Sequence, residues 1–175
     1  IADMVPLNGE NRTLSHYGLR VLRKARREGL KQMFAIADKN PQDADTETIS
    51  HFLAPRINAA SRMDHALSAF ALLTTENEEE ARHFAQHLEG KNEERKVMVE
   101  SILENLEKRI SPDALPAVIF EGSPEWPAGV LGLAATRLVE RYSRPVFLYS
   151  VNDELIKGSC RAPAGMNVVE LMARA

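Results

Sequence analysis

Between residues 77 and 110, Ala81, Phe84, Ala85, Leu88, Arg95, Val99, Ile102, Leu106 and Ile110 recur at steps of three or four. Glu, Lys and Arg fill the opposite side, which is the pattern of a single long amphipathic helix. Unbroken, it would run about 50 Å at about 1.5 Å per residue. Gly90 is the point where a bend or break is expected, because glycine costs about 1 kcal/mol relative to alanine inside a helix. A helix so long and one-sided connects or braces domains and is not itself a site. Upstream, residues 11–28 read as a helix with Leu14, Leu19, Val21 and Leu22 available for burial and Gly29 closing it. A shorter helix follows over 30–37, then a polar turn over 41–45 and an apolar stretch over 49–60 interrupted by Pro55.

The pattern changes near Ser111. Pro112 and Pro116 end the helical regime, and the short apolar run 117–120, closed by Gly122, reads as a buried strand. An amphipathic helix over 129–142 and a second strand over 145–149 complete a strand-helix-strand unit. Such a unit favours a parallel pair with a right-handed crossover. Residues 155–161 add a third strand, after which Asn167 is placed to cap a helix starting at Val168. The fold class is therefore α/β, helical before Ser111 and α/β after it. No internal repeat or low-complexity segment interrupts it.

Composition narrows this picture only modestly. A chain of 175 residues can bury a core of one or two small domains. No apolar run reaches the roughly 20 residues that span a bilayer, and the opening Ile1-Ala2 lacks a secretory pattern. Both ends read as cut from a longer protein. One cysteine, Cys160, excludes an internal disulfide framework and fits a reducing cytoplasm. The net charge of -3 offers no global attraction to nucleic acid, so any polyanion must meet a local cluster. The candidate cluster is Arg20, Arg23, Lys24, Arg26 and Arg27, which reads equally well as a solvated helix face.

Three motifs carry possible chemistry. In residues 53–63, Arg56, Asn58 and Arg62 stand among the small residues Ala59, Ala60 and Ser61. Arginine suits phosphate because its planar fork offers paired donors and stays charged, though buried arginines paired with carboxylates would give the same pattern. In Lys157-Gly158-Ser159-Cys160-Arg161, a glycine that leaves the backbone open, a hydroxyl and an arginine can surround a terminal phosphate. Ser159 and Arg161 share one face if the segment is extended. Residues 126–137 place glycines at a helix start, but the GxGxxG fingerprint is absent, so close packing on a sheet is the better reading. His83 and His87 lie four apart on one helix face; without the HExxH glutamate and with polar flanks they read as exposed histidines. Cys160 has no local base to make it a nucleophile. Glu78, Glu79 and Glu80 complement a helix dipole and form no metal site.

These motifs, in this order, resemble the RecJ exonucleases of the DHH phosphoesterase family. Ala2-Asp3-Met4-Val5-Pro6-Leu7 with Gly9-Glu10-Asn11-Arg12 is similar to the segment that follows that family's last metal-binding aspartate. Residues 53–63 resemble its APRLNAAGRL signature, residues 125–138 its WHxGVVGIxASRL stretch, and residues 157–161 its KGSGRS. The chain departs where the family has glycine at Ser61, histidine at Pro127, glycine at Cys160 and usually serine at Ala162. Cys160 is expected to narrow the approach to phosphate, and Pro127 to remove a polar side chain and a backbone donor. Neither the DHH triplet nor the GGH segment is present.

The resemblance implies that residues 1–75 are the helical end of a DHH domain and residues 76–111 a connecting helix. Residues 112–175 would be part of a small DHH-associated domain with a mixed or parallel sheet. It implies a metal-dependent 5′-to-3′ exonuclease acting on single-stranded DNA in repair and recombination. The Mn2+ or Mg2+ would be bound outside this chain, so that no catalytic or metal residue lies within it. Ser159, Arg161 and Gly158 would hold the terminal phosphate, while Asn58 and Arg62 face the substrate groove; Arg56 would join them or pair with a carboxylate. Two other members of the same fold family fit less closely: a phosphodiesterase for short oligonucleotides or cyclic dinucleotides, and an inactive replication scaffold. The family resemblance leaves protein partners open.

Overall fold

The computed structural model describes residues 1–2, 5–63, 65–111, 114–151 and 155–174. Asp3 and Met4 of the N-terminal motif, the helix-ending Pro112 and the terminal Ala175 lie outside the described residues. The chain packs as two compact units, Ile1–Glu94 and Arg95–Ala175. The division falls inside the longest helix, not at the change of pattern near Ser111.

In the first unit, helices α1 (Gly9–Leu22), α2 (Glu28–Ile36), α3 (Ala54–Met63) and α4 (Leu67–Thr74) precede α5 (Glu78–Arg109). Their common core holds Met33, Phe34, Phe52, Leu53, Ala60, Leu72, Ala85 and Leu88. Each fully buried leucine or phenylalanine contributes about 1.5–3 kcal/mol relative to exposure. Pro55 does not interrupt the helical path, because a wider turn over Thr48–Leu53 precedes α3. There the Ala54 N–H reaches back five residues to Ile49 O, so the chain enters α3 with proline in its first turn. Asp45 starts this segment: its carboxylate accepts from the Thr48 N–H and hydroxyl, both at 2.8 Å. Those donors, the backbone one first, hold the Asp45 carboxyl below its usual range.

The helix expected over 11–28 is shorter. It ends at Leu22, and the chain turns through a buried Ala25 at φ +39°. Arg23 Nε donates to Ala44 O at 2.9 Å and Gln42 Nε2 donates to Arg23 O at 2.8 Å, fixing that turn. No residue of α1 is buried, and Leu14 and Val21 are 70% and 61% exposed, against the expectation of burial. Gly29 is not a helix end but the second residue of α2. A Cβ there would stand 1.9 Å from Leu72 O of α4, so glycine is required for the two helices to touch.

Asn77 opens α5, its side chain accepting from the Glu80 N–H at 3.0 Å. The helix runs through Gly90 without a break. Ala81, Ala85 and Leu88 are buried in its first half, and Val99, Ile102 and Leu106 in its second. Thus the periodicity is one stripe that serves two units in succession.

The second unit continues with β1 (Ile119–Ser123), α6 (Ala128–Tyr142), β2 (Val146–Val151), β3 (Ile156–Arg161) and α7 (Val168–Arg174). The sheet order is β1-β2-β3; β1 and β2 are parallel, while β3 returns antiparallel to β2. This mixed sheet carries α6 across β2 and β3. Val146, Leu148 and Ser150 are buried on one face of β2. On the other, Phe120 stacks near Phe147 and Tyr149, with centroids 6.1 and 5.1 Å away, and is 64% exposed. The Arg109 guanidinium lies 5.3 Å from the centre of the buried Trp126 ring. Asn167 caps α7, accepting from the Val169 and Glu170 N–H groups at 3.1 and 3.3 Å.

Gly29→Ala is expected to destabilise the chain by about 1–3 kcal/mol, since backbone must shift to admit the methyl group. Chemical denaturation followed by circular dichroism checks this through a lowered midpoint.

Candidate nucleic-acid interface

Helix α3 sorts its polar residues by depth. Ala59 and Ala60, with no exposed surface, face inward, whereas Asn58, Ser61 and Arg62 are exposed. Asn58 and Arg62 are one helical turn apart and share a face, and the Ser61 hydroxyl donates to Asn58 O at 3.1 Å. Arg56 is committed elsewhere: its Nε and Nη2 grip the Glu89 carboxylate of α5 at 2.5 and 3.0 Å. Its Nη1 donates to Phe52 O at 2.9 Å, and its guanidinium lies 4.2 Å from the centre of the Phe52 ring. All three nitrogens are engaged, so of the two roles open to Arg56, pairing with a carboxylate is the one realised.

In the second unit the strand pleat decides what the phosphate-like motif presents. Ser159 pairs with Leu148 and Arg161 with Val146, two residues buried on the α6 side. Cys160 pairs with Phe147 and Gly158 with Tyr149, on the aromatic side. Arg161 Nη1 donates to Ser159 Oγ at 3.3 Å and to Cys160 O at 2.7 Å. The two expected phosphate ligands are therefore neighbours, at the edge of the sheet, with Arg161 exposed.

Helix α6 leaves room for them at Gly132. A Cβ there would stand 3.0 Å from Ser159 Oγ and 3.1 Å from Arg161 Nη2. The glycines at the start of α6 were expected to allow packing on a sheet; what one of them admits is the polar pair itself. Sequence reasoning missed this link, although the spacing of Gly129 and Gly132 just after a strand was its trace. Gly158 has a different cause from the one expected. Its added Cβ would lie 2.8 Å from Leu148 O, so β3 needs glycine to lie close against β2, not to open the backbone to a ligand.

The departures from the family pattern also find their places. Cys160 projects away from Ser159 and Arg161 and lines an apolar cavity of about 470 Å3 with Phe120, Phe147, Tyr149 and Met172. It does not narrow the approach to the Ser159–Arg161 pair, contrary to expectation. Pro127 is the cap residue before α6, in extended conformation, where no helical hydrogen bond needs its missing N–H. His83 is exposed, and His87 is half-buried and partnered. No three His, Cys, Asp or Glu side chains converge among the described residues. No described helix is long and apolar enough to cross a membrane.

No protein-family model matches the chain. Curated relatives do. It is 34% identical over 176 residues to the single-stranded-DNA-specific exonuclease RecJ of Bacillus subtilis, covering 99% of the chain and 22% of that protein. The Escherichia coli protein of the same name is 34% identical over 183 residues, with 99% and 31% covered. Among solved structures, RecJ of Thermus thermophilus in complex with Mg2+ superposes with a TM-score of 0.86 at 33% identity. That match covers 99% of the chain and 27% of the solved one. A second exonuclease RecJ, bound to manganese, gives 0.80 at 32% identity, covering 98% and 42%. The chain spans about a fifth to a third of the length of the curated relatives it matches. Sequence and backbone agree over the same residues: from end to end the chain is RecJ-like, corresponding to one stretch of those longer proteins.

Proposed function

We propose that this chain is the strand-holding part of a metal-dependent exonuclease that hydrolyses phosphodiesters of single-stranded DNA from the 5′ end, in repair and recombination in the cytoplasm. On this reading residues 1–75 close a DHH domain, 76–111 connect, and 112–175 begin the DHH-associated domain. The observation that carries it is the pairing of Ser159 and Arg161 side by side on β3, opposite the gap at Gly132. A hydroxyl and a guanidinium held together in this way match the oxygens of a terminal phosphate. Asn58 and Arg62, exposed on α3, face the substrate groove, and Arg56 positions α3 by its bond to Glu89.

The relatives solved with Mg2+ and Mn2+ support a divalent ion in the whole protein. Such ions activate water and stabilise charge on phosphorus when bound. Among the described residues of this chain no three His, Cys, Asp or Glu side chains converge on one point. The part assigned to this chain is binding and orientation, which holds the scissile bond in reach.

In the whole protein, Arg161→Ala is expected to weaken binding of 5′-phosphorylated single strands by about ten- to a hundredfold, one charge-assisted contact being worth about 1.5–3 kcal/mol. The slope of log affinity against log salt should fall by about 0.7, the share of one phosphate contact on a single strand. Anisotropy titrations across a salt series measure both, and an unchanged slope with unchanged affinity would remove Arg161 from the role. Gly132→Ala should likewise weaken binding of 5′-phosphorylated strands, because its methyl group must push aside Ser159 Oγ and Arg161 Nη2, 3.0 and 3.1 Å from it. Arg56→Ala should instead lower stability by about 1–3 kcal/mol and leave the salt slope intact, read from denaturation and the same titrations.

A further inference from the structure

Five cations gather where α1 ends and the chain turns toward α2: Arg20, Arg23, Lys24, Arg26 and Arg27. They are of two kinds. Arg23 and Arg27 brace the fold, donating to Ala44 O at 2.9 Å and Leu73 O at 2.5 Å. Arg20, Lys24 and Arg26 are exposed, and among the described residues their side chains make no hydrogen bond or ion pair. Beside them Tyr17 is 58% exposed, with the Arg20 guanidinium 5.9 Å from its ring centre and His16 edge-on at 5.1 Å. Tyr17, Arg20, Val21, Arg23, Lys24 and Gln42 line a groove of about 550 Å3 with no carboxylate in its walls.

We propose that this groove binds single-stranded nucleic acid, with backbone phosphates against Arg20 and Lys24 and one base stacked on Tyr17. The net charge of -3 supplies no general attraction to a polyanion, so unpaired cations gathered at the end of α1 and the turn after it are where it would be met. An exposed ring beside free cations is the sequence-tolerant way of holding a single strand, since every base has a π-face. A duplex has its bases stacked away and cannot use the ring. A protein partner would rest on the apolar stripe of Leu14, Tyr17 and Val21. Leu14, however, lies outside the groove, whose walls carry Arg20, Arg23 and Lys24 and no carboxylate, and charge complementarity favours the strand. The choice of ligand rests on the single-strand reading above; the site itself does not.

The test uses the 175-residue chain and a fluorescent oligothymidine, bearing either a 5′-hydroxyl or a 5′-phosphate, at low salt. Tyr17→Ala should weaken binding about tenfold while Tyr17→Phe retains it, as stacking needs the ring and not the hydroxyl. Arg20→Ala with Lys24→Ala should reduce the salt slope by about 1.4, two phosphate contacts on a single strand. All three side chains are exposed, so circular dichroism should show the variants folded. These losses should be equal for the two kinds of 5′ end. If instead the end chemistry proves irrelevant in every chain while the α1 variants still lose affinity, only the Ser159–Arg161 assignment falls. The α1 proposal is overturned by three outcomes: no measurable binding by the unaltered chain, full affinity and slope in the variants, or duplex bound as tightly as single strand. Retention of oligonucleotide binding by the variants would leave the stripe as a protein contact.

Discussion

The alternation of side chains along β3 is the constraint on which the candidate site depends. Because successive residues of a strand point to opposite faces, Ser159 and Arg161 must share the α6 side while Gly158 and Cys160 share the aromatic one. The antiparallel pairing to β2 fixes which set goes where, since Val146 and Leu148 are already buried under α6. A slip of one residue would bury Cys160 and turn the hydroxyl and guanidinium toward Phe147 and Tyr149. Gly158 secures the register locally, because any side chain there would strike Leu148 O. The polar pair is thus positioned by backbone geometry and by the absence of side chains at Gly158 and Gly132.

What could be read from sequence follows from how local the determining physics is. The stripe from Ala81 to Ile110 gave one helix because its burial period is set by the helix itself. Likewise β1, α6 and β2 were legible because strand, helix and strand each carry their own signature. Asn167 was legible as a cap for the same reason: its partners lie two and three residues away. The failures were at glycines and at the end of α1. Gly29 looks like a terminator in sequence, yet it marks a helix crossing whose partner, Leu72, lies far along the chain. The end of α1 is set by bonds to Ala44 and from Gln42, about twenty residues further along.

The site divides in the same way. That Ser159 and Arg161 face one side needed only a strand period. Which side they face needed β2, and the space they occupy needed α6. Arg56 was ambiguous because a guanidinium serves a phosphate or a carboxylate equally well, and the deciding partner, Glu89, sits on another helix. A partly buried, bidentate and ring-stacked arginine has little left to offer a ligand. An arginine that braces the fold and one left open to an anion look alike in letters and differ only in what surrounds them.

Three of the departures from the RecJ pattern are decided by surroundings too. A substitution matters to a site only through the direction its new atoms take. Cys160 adds its sulfur to the apolar cavity beside Phe147, on the far side of β3 from Arg161. Pro127 loses an N–H at the residue before α6, outside the helical hydrogen-bond ladder, and its fixed φ of -66° suits the extended approach. Ser61 puts its hydroxyl on Asn58 O, one turn back along α3, where it satisfies itself and adds no bulk to the core side held by Ala59 and Ala60. Each change is thus absorbed without displacing Ser159, Arg161 or the gap at Gly132. These three departures alter the edges of the motifs and leave the Ser159–Arg161 geometry intact.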